Sequence, residues 1–267
     1  MAREILPEEL WTLIEPLLPA DKPPKSNGRP AVANRDALTG ILFVLRTGIP
    51  WEYLPQEMGC GCGMTCWRRL RDWQKLGVWQ SVFEALLAHL NKADRLDWSR
   101  AIVDSSSVRA VFGGQQTGPN PTDRRKAGSK HHIITDGKGI PLAFTVTGAN
   151  RHDVTQLIAL VDAIPPVRGK QGRPRQRPHF IFGDRAYHSK SHEAKLTKRR
   201  IGAFIAKRNS DHGSGLGTVR WVVERTISWL HQFRRLRVRY ERRLDIHEAF
   251  FALGCICICF NHIQGFC

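Results

Sequence analysis

The chain has 267 residues, and 42% of them are hydrophobic, so wholesale disorder is excluded and one large or two smaller domains are expected. Its 41 Lys and Arg outnumber its 24 Asp and Glu, which gives a formal net charge of +17. An excess of this size favours nucleic acid as the partner, through neutralisation of phosphates, over a membrane surface or an acidic protein.

Signals for export or for a membrane are missing from the sequence. Acidic residues stand near the start, at Glu4, Glu8 and Glu9, where a secretory leader would be basic and then apolar. The apolar run near the end, residues 249–260, is shorter than the roughly 20 residues that a membrane span needs, and it is predicted to be buried. The seven cysteines suggest no disulfide framework. We therefore expect a reduced, cytoplasmic protein without membrane contact.

The front of the chain has the periodicity of a helical domain. Apolar residues recur at helical spacing from residue 8, and a proline-rich linker at 19–30 separates the first helix from the next. The glycine-rich segment 59–63 predicts a turn, after which Thr65 is a candidate N-cap. Cys60, Cys62 and Cys66 in this region could bind zinc, but no nearby histidine supplies a fourth ligand. The predicted helices are 8–18, 34–46, 51–57, 65–75 and 79–91.

The fourth predicted helix has the two faces of a DNA recognition helix. Cys66, Leu70 and Trp73 can face a partner helix, while the basic residues lie on another face. A charged helix face is usually only solvated, but the preceding turn and the net charge of the chain favour DNA binding. The basic residues of this helix are Arg68, Arg69, Arg71 and Lys75.

The pattern changes near residue 99 to alternating strands and helices. A hairpin is predicted to turn at Asp136 and Gly137, and Asp153 is a candidate N-cap for the helix that follows. Three sequential strands followed by alternation predict a mixed α/β sheet with helices on both faces. The strands are expected at 101–108, in both halves of 131–148, at 180–184 and at 202–207, with helices near 154–164, 191–200 and in the tail.

Two aspartates have the setting of a catalytic site. Asp104 and Asp184 each follow an apolar strand, and strand ends in such a sheet bring side chains to a common edge. Paired carboxylates there suit a hard divalent cation. Glu224 is the best third ligand, because it lies off the apolar face of a predicted helix, although it could equally be an exposed partner of Arg220. Glu193 is a weaker rival.

Three segments resemble the acidic motifs of DDE transposases from bacterial insertion sequences: AIVDSSSVRA, FGDRAYHS and RWVVERTISWLHQFRRLRVRYERR. Among these transposases, the sequence is most similar to the insertion-sequence-five family. That family's last motif has Tyr, two residues, Arg, three residues, Glu, six residues, and Lys or Arg. Arg220 and Glu224 fit it, whereas Gly217 and His231 stand at its first and last positions. Two front segments resemble the family's DNA-binding region: GRPAVANRDALTGILFVLRTGIPWEYLP and CWRRLRDWQKLGVW.

The resemblance implies a ribonuclease-H-like catalytic domain at 96–267 behind a helix-turn-helix-type DNA-binding domain at 1–95. It implies that Asp104, Asp184 and Glu224 hold two Mg²⁺ ions, for which Mn²⁺ substitutes. The implied activity is cleavage at the terminal inverted repeats of an insertion element and strand transfer into target DNA. Two alternatives stay open: a regulator or decayed transposase that binds ends without cutting, and a nuclease without strand transfer.

The same resemblance gives roles to the basic residues around the carboxylates, and it implies a homodimer or larger assembly on double-stranded DNA. Arg185 could instead pair with Asp184, and the roles of Tyr187 and His188 stay open. The expected DNA contacts outside the recognition helix are Lys130, His131, Arg185, Arg220, His231, Arg234 and Arg235, with Arg237 and Arg239 beyond them.

Overall fold

The computed structural model describes residues 4–21, 31–207 and 217–266. Most of the predicted linker at 19–30 lies outside the described residues. The front end is helical, as the periodicity predicts. Its helices are α1 (Glu8–Ile14), extended by a 3-10 turn at Glu15–Leu17, then α2 (Asn34–Thr47), α3 (Gly63–Lys75) and α4 (Val78–Lys92).

The segment between α2 and α3 corrects two predictions. The expected helix at 51–57 is two 3-10 turns, Trp51–Tyr53 and Gln56–Met58, because the Pro55 ring between them cannot continue a helical hydrogen-bond ladder. Helix α3 begins at Gly63 rather than at Thr65, with Cys62 in the capping position. Glycine is required at this start, since a Cβ there would lie 1.7 Å from the Trp51 carbonyl oxygen.

The rest of the chain builds one sheet with helices around it. Two short strands, β2 and β7, are additions that the sequence pattern did not predict. The strands are β1 (Arg100–Ala110), β2 (Gly118–Pro119), β3 (Ala127–Asp136), β4 (Pro141–Gly148), β5 (Phe180–Gly183), β6 (Gly202–Ile205) and β7 (Val238–Arg239). The helices are α5 (Leu157–Asp162), α6 (Lys190–Lys198), α7 (Gly217–Gln232), α8 (Arg234–Arg237) and α9 (Leu244–Gln264).

The long strand β1 lies at the centre of the sheet. It pairs antiparallel with β3, which pairs antiparallel with β4, and on its other side it pairs parallel with β5, which pairs parallel with β6. The main strand order is therefore β4-β3-β1-β5-β6. The first three long strands, β1, β3 and β4, pair antiparallel in sequence order, and β5 and β6 are parallel and separated by a helix. This topology confirms the predicted ribonuclease-H-like mixed α/β sheet.

Helix α9 is a large part of the apolar core of the protein. Almost all of its residues from Ile246 to Phe260 are buried, and it packs against α3 and α4 of the front end as well as β4 and α7. In the described part of the chain it is the one helix long and apolar enough to cross a membrane, but 83% of its most apolar window is buried inside the protein. The prediction that residues 249–260 are a buried element is confirmed.

Candidate active site

Asp104 and Asp184 occupy equivalent positions on neighbouring parallel strands. The last registered pair between β1 and β5 is Ile102 with Phe182, and each aspartate follows its strand's paired residue by two positions. Asp184 directly follows β5 and caps a 3-10 turn. Its Oδ1 accepts a 2.9 Å hydrogen bond from the backbone N–H of Ala186. The parallel register therefore puts both carboxylates at the same edge of the sheet.

Glu224 is connected to Asp104 by an arginine that lies close to both carboxylates. Helix α7 packs against β1, and it carries Arg220 one turn before Glu224. The Arg220 Nη2 lies 3.7 Å from Asp104 Oδ2 and 3.5 Å from Glu224 Oε1. A single guanidinium thus stands between the two carboxylates, so this space already holds a positive charge.

Asp104 is close enough to Asp184 and Glu224 for their charges to affect its pKa. The pKa of Asp104 is raised to about 6, mainly by burial and less by the charges of Asp184 and Glu224, while the Ser105 backbone N–H and Arg220 oppose the shift. In the parts of the chain that the structure describes, no three His, Cys, Asp or Glu side chains converge as a ready-made metal site. The carboxylates are neighbours rather than a closed coordination shell.

This donor set nevertheless fits a divalent cation of the Mg²⁺ type. Such ions take oxygen ligands from one or two carboxylates and complete their shell with water and substrate phosphate oxygens. Asp104 and Asp184 are the residues that would supply oxygen ligands from adjacent strands, and the side chain of Glu224 is 57% exposed. Glu193, the rival third ligand, lies on α6, and the Nε2 of His188, which precedes that helix, is 3.8 Å from its carboxylate.

A fourth carboxylate, Asp153, lies beside the site and was not predicted there. It was predicted as an N-cap, but its side chain makes no capping hydrogen bond, and His152 holds the capping position. Instead its Oδ1 accepts a 2.6 Å hydrogen bond from the Ser105 hydroxyl and lies 3.0 Å from the Lys130 ammonium. One signal could have indicated it: Asp153 follows the end of β4, which runs in the same direction as β1.

Tyr187 is buried among these acidic groups. Burial raises the pKa of its phenol well above 10, and the neighbouring Asp153, Asp104 and Asp184 raise it further. Tyr187 is therefore a buried neighbour of these aspartates; its role had been left open in the sequence analysis. His188 is instead directed to Glu193 on α6.

The predicted recognition helix presents some of its basic residues to solvent. Arg68 and Lys75 are exposed, while Arg71 pairs with Asp72 at 2.7 Å. Arg69 has a structural role, because it donates hydrogen bonds to Asn34 Oδ1 at 2.6 Å and to a backbone carbonyl before α2. Cys66, Leu70 and Trp73 are buried, as their spacing predicts.

Three of the predicted DNA contacts, His131, Arg235 and Arg239, have buried side chains in the structure. His131 is 3% exposed, and its Nε2 lies 2.7 Å from the His247 Nε2 in the core. Arg235 is 5% exposed and donates a 2.9 Å hydrogen bond to Glu241. Arg239, the last of the more distant candidates, is fully buried against Ser129. Basic residues in the tail therefore alternate between the core and the surface.

Three of the remaining predicted contacts, His231, Arg234 and Arg237, line a groove along α7. The groove has a volume of about 640 Å³ and is lined by Glu224, Ser228, His231, Arg234 and Arg237. The His231 Nε2 lies 3.3 Å from the Ser106 hydroxyl of β1, and burial lowers its pKa. Lys130 and Arg185 are half-buried near the carboxylates.

Comparisons with known proteins assign the chain to a family. Residues 98–260 match the family described as the transposase DDE domain, and residues 6–83 match one described as transposases of the IS4/5 family. The chain belongs to the DDE transposases, enzymes of DNA transposition, which confirms the resemblance seen in its acidic motifs.

Its similarity to proteins of one insertion element extends over much of its length. A protein named as a transposase of insertion sequence element IS402 from Burkholderia cepacia is 57% identical over 173 residues, which are 64% of this chain and 80% of that protein. The uncharacterized 16.2 kDa protein of IS402 from the same organism is 63% identical over 123 residues, which are 45% of this chain and 84% of that one.

Solved structures are more distant. The catalytic domain of Mos1 mariner transposase is 12% identical, with a TM-score of 0.28 over 72% of this chain and 94% of that domain. The simian T-cell lymphotropic virus intasome, solved with the PP2A regulatory subunit B56 gamma, is 15% identical with a TM-score of 0.36, over 58% of this chain and 48% of that one.

Proposed function

We propose that this transposase binds the terminal inverted repeats of an insertion element, cleaves DNA there and joins the ends to target DNA. The observation that carries the proposal is the placement of Asp104 and Asp184 at equivalent positions of adjacent parallel strands, with Glu224 linked to Asp104 through Arg220. Membership in the DDE transposases supports the same reaction class.

We infer that Asp104, Asp184 and Glu224 are the catalytic carboxylates and hold Mg²⁺, with Mn²⁺ as a substitute. When bound, the metal supplies activation of a water or DNA 3′-hydroxyl and stabilisation of the leaving oxygen. The protein's own contribution is to fix Asp104 in a rigid central strand and to offer cationic groups for the phosphates. Arg220 is the best placed of these, because it already bridges two of the carboxylates.

DNA binding is proposed to use two surfaces. The exposed Arg68 and Lys75 of α3 contact the element ends, and Arg234 and Arg237 contact DNA beside the carboxylates. The division into residues 1–95 and 96–267 stays a prediction; the two family matches, 6–83 and 98–260, support it. Action on paired ends favours a homodimer or larger assembly, and the expected location is the bacterial cytoplasm.

A cleavage assay with element-end DNA and Mg²⁺ tests the enzymatic proposal. We expect wild type to cut and Asp184→Ala to bind the DNA without cutting. Asp162→Ala is the control. Asp162 lies on α5, is exposed and pairs with Arg199, so this substitution should leave cleavage unchanged. Binding without cutting by wild type would instead favour a regulator, and cutting without a joint product between end and target would favour a simple nuclease.

A further inference from the structure

An exposed aromatic pair lies at the far end of β1 from the carboxylates. Phe112 is 55% exposed and Tyr240 is 37% exposed, and their ring centroids lie 6.3 Å apart with the planes tilted by 55°. Arginines flank both rings: the Arg242 guanidinium lies 6.0 Å from the Phe112 centroid, and that of Arg235 lies 5.2 Å from the Tyr240 centroid. We call Phe112 and Tyr240 the aromatic platform.

The backbone beneath the aromatic platform is firmly built. Strand β7 pairs with the end of β1, and the Val111 N–H donates a 3.0 Å hydrogen bond to the Arg239 carbonyl. The turn after Phe112 is closed by a 2.9 Å hydrogen bond from the Gln115 N–H to the Arg242 carbonyl. Gly114 has φ +123°, and a Cβ there would lie 2.3 Å from that same carbonyl oxygen. The two rings are therefore presented by paired backbone rather than by a loose loop.

The surface around the aromatic platform is cationic. Arg109, Arg237 and Arg242 are exposed near it. The acidic neighbour Glu241 is buried and neutralised by its 2.9 Å pair with Arg235. Positive charge around an apolar aromatic surface complements a polyanion that carries flat apolar faces, which is the chemistry of a nucleic acid strand.

The groove along α7 runs from Glu224, one of the three carboxylates, toward the segment that carries Tyr240. It begins at Glu224 and extends to Arg237, which directly precedes β7 and Tyr240. Along β1, Asp104 and Ala110 are six residues apart, which is about 20 Å at the rise of a strand. Each strand of duplex DNA carries one phosphate per about 3.4 Å of helix axis, so this path corresponds to about six nucleotides of duplex length.

We propose that the aromatic platform stacks an unpaired base of the DNA strand that passes the carboxylate site. The inference rests on the proposed function, since it assumes that DNA occupies the groove. An unpaired base is the expected occupant because base faces inside a duplex are covered by their neighbours, and the Phe112 ring has no group that could read a base edge. Arg242 and Arg237 then contact the flanking phosphates.

Binding to two DNA probes separates this proposal from the proposed function. The probes are an oligothymidylate of about 12 nucleotides and a duplex of mixed sequence, titrated against the full-length protein by fluorescence anisotropy. Phe112→Leu and Tyr240→Leu keep apolar volume but remove the stacking rings. Val111→Ala is the control, because Val111 is adjacent and 43% exposed but has no ring.

We expect both leucine variants to bind the oligothymidylate about five-fold or more weakly, with duplex affinity changed less than about two-fold. The control should match wild type on both probes. Unchanged oligothymidylate binding in both variants, or an equal loss on both probes, would overturn the platform while leaving the proposed function intact. Failure of wild type to bind either probe would instead overturn the proposed function and the platform with it.

A second measurement excludes a different occupant of the same surface. With 2-aminopurine in an unpaired overhang, stacking on the platform should quench fluorescence in wild type and in Val111→Ala but not in Phe112→Leu. Light scattering of the protein without DNA is expected to give the same mass for wild type and Phe112→Leu. A loss of self-association in Phe112→Leu without any change in quenching would show that the aromatic platform is a protein–protein contact.

Discussion

The Ser105 hydroxyl donates a 2.6 Å hydrogen bond to Asp153, and this contact joins the residue next to Asp104 to a turn 48 positions further along the chain. The same carboxylate pairs with Lys130 on β3, so Asp153 connects the turn after β4 to both β1 and β3. Its side chain is 18% exposed, it contacts the Ser105 and Lys130 side chains, and it does not line the groove along α7. Asp153 is therefore expected to position Asp104 without contacting DNA.

Removal of Asp153 should lower catalysis without lowering DNA affinity. In Asp153→Ala the Ser105 hydroxyl loses its acceptor and Lys130 loses its partner, so we expect cleavage to slow by about 10–100-fold, as is typical when the support of a metal ligand is removed. The turnover rate should fall while the KM for end DNA stays unchanged. Asp153→Asn keeps an acceptor for Ser105 and should recover part of the rate.

Asp162→Ala is the matched control for this experiment, since Asp162 is also a paired aspartate but lies on the exposed side of α5. An equal loss of cleavage in both variants would contradict a specific role for Asp153. Loss of the cooperative unfolding transition in Asp153→Ala would show that its role is in folding instead.

The buried charge of Asp104 should cost stability at neutral pH. Its pKa is raised to about 6, mainly by burial, so the folded state binds this proton more tightly than the unfolded chain does. The cost is present above pH 6 and disappears as the pH falls toward 4. We expect Asp104→Asn to be more stable than wild type by about 2–3 kcal/mol at pH 7.5, and by much less at pH 4.5. Urea unfolding with EDTA present measures both differences.

Asp136→Asn is an informative comparison, because burial also raises the pKa of Asp136 to about 6. Its two oxygens accept hydrogen bonds from three backbone N–H groups, those of Asp97, Lys138 and Ile140. An amide cannot accept on its nitrogen, so Asp136→Asn should destabilise at pH 7.5 while Asp104→Asn stabilises. Destabilisation by both substitutions would contradict the view that the Asp104 charge is poorly compensated.

The sequence predicted the fold well where periodicity and chain order carry the information. The helix from Asn34, the hairpin at Asp136 and the strand before Asp184 are all found close to their expected positions. The sequence also predicted that Asp104 and Asp184 follow strands whose ends meet at one edge, and the parallel pairing of β1 with β5 has this arrangement.

Side-chain burial in the tail could not be predicted in the same way. Arg234 and Arg235 are adjacent and chemically identical, yet the first is exposed and the second is buried against Glu241. Which one points inward depends on the start of α8 and on where β7 joins β1, and two-residue strands have no periodicity to detect. The role of Asp153 was missed because its partners, Ser105 and Lys130, lie on two strands that are distant from it in the sequence.

Arg68 and Arg69 should give opposite phenotypes although they are neighbours on α3. Arg68 is exposed, so Arg68→Ala should weaken binding to element-end DNA and reduce the slope of log affinity against log salt by about one, with no change in stability. Arg69 donates hydrogen bonds to buried Asn34 and to the Val32 carbonyl. Arg69→Ala should therefore lower the unfolding free energy by about 1–3 kcal/mol. A shared phenotype would contradict this division of roles.

Arg234 and Arg235 provide a second pair in which burial decides the outcome. Arg235→Ala would leave the buried Glu241 carboxylate without its ion-pair partner and the Ile49 carbonyl without a donor, so we expect a loss of about 3–5 kcal/mol in the unfolding free energy. Arg234→Ala removes an exposed groove cation and should change stability by less than about 0.5 kcal/mol while weakening DNA binding. Chemical denaturation and anisotropy titrations measure the two effects separately. Arg235→Met, which restores apolar volume but leaves Glu241 unpaired, should stay destabilised, and full recovery by Met would show that packing rather than charge pairing holds α8 in place.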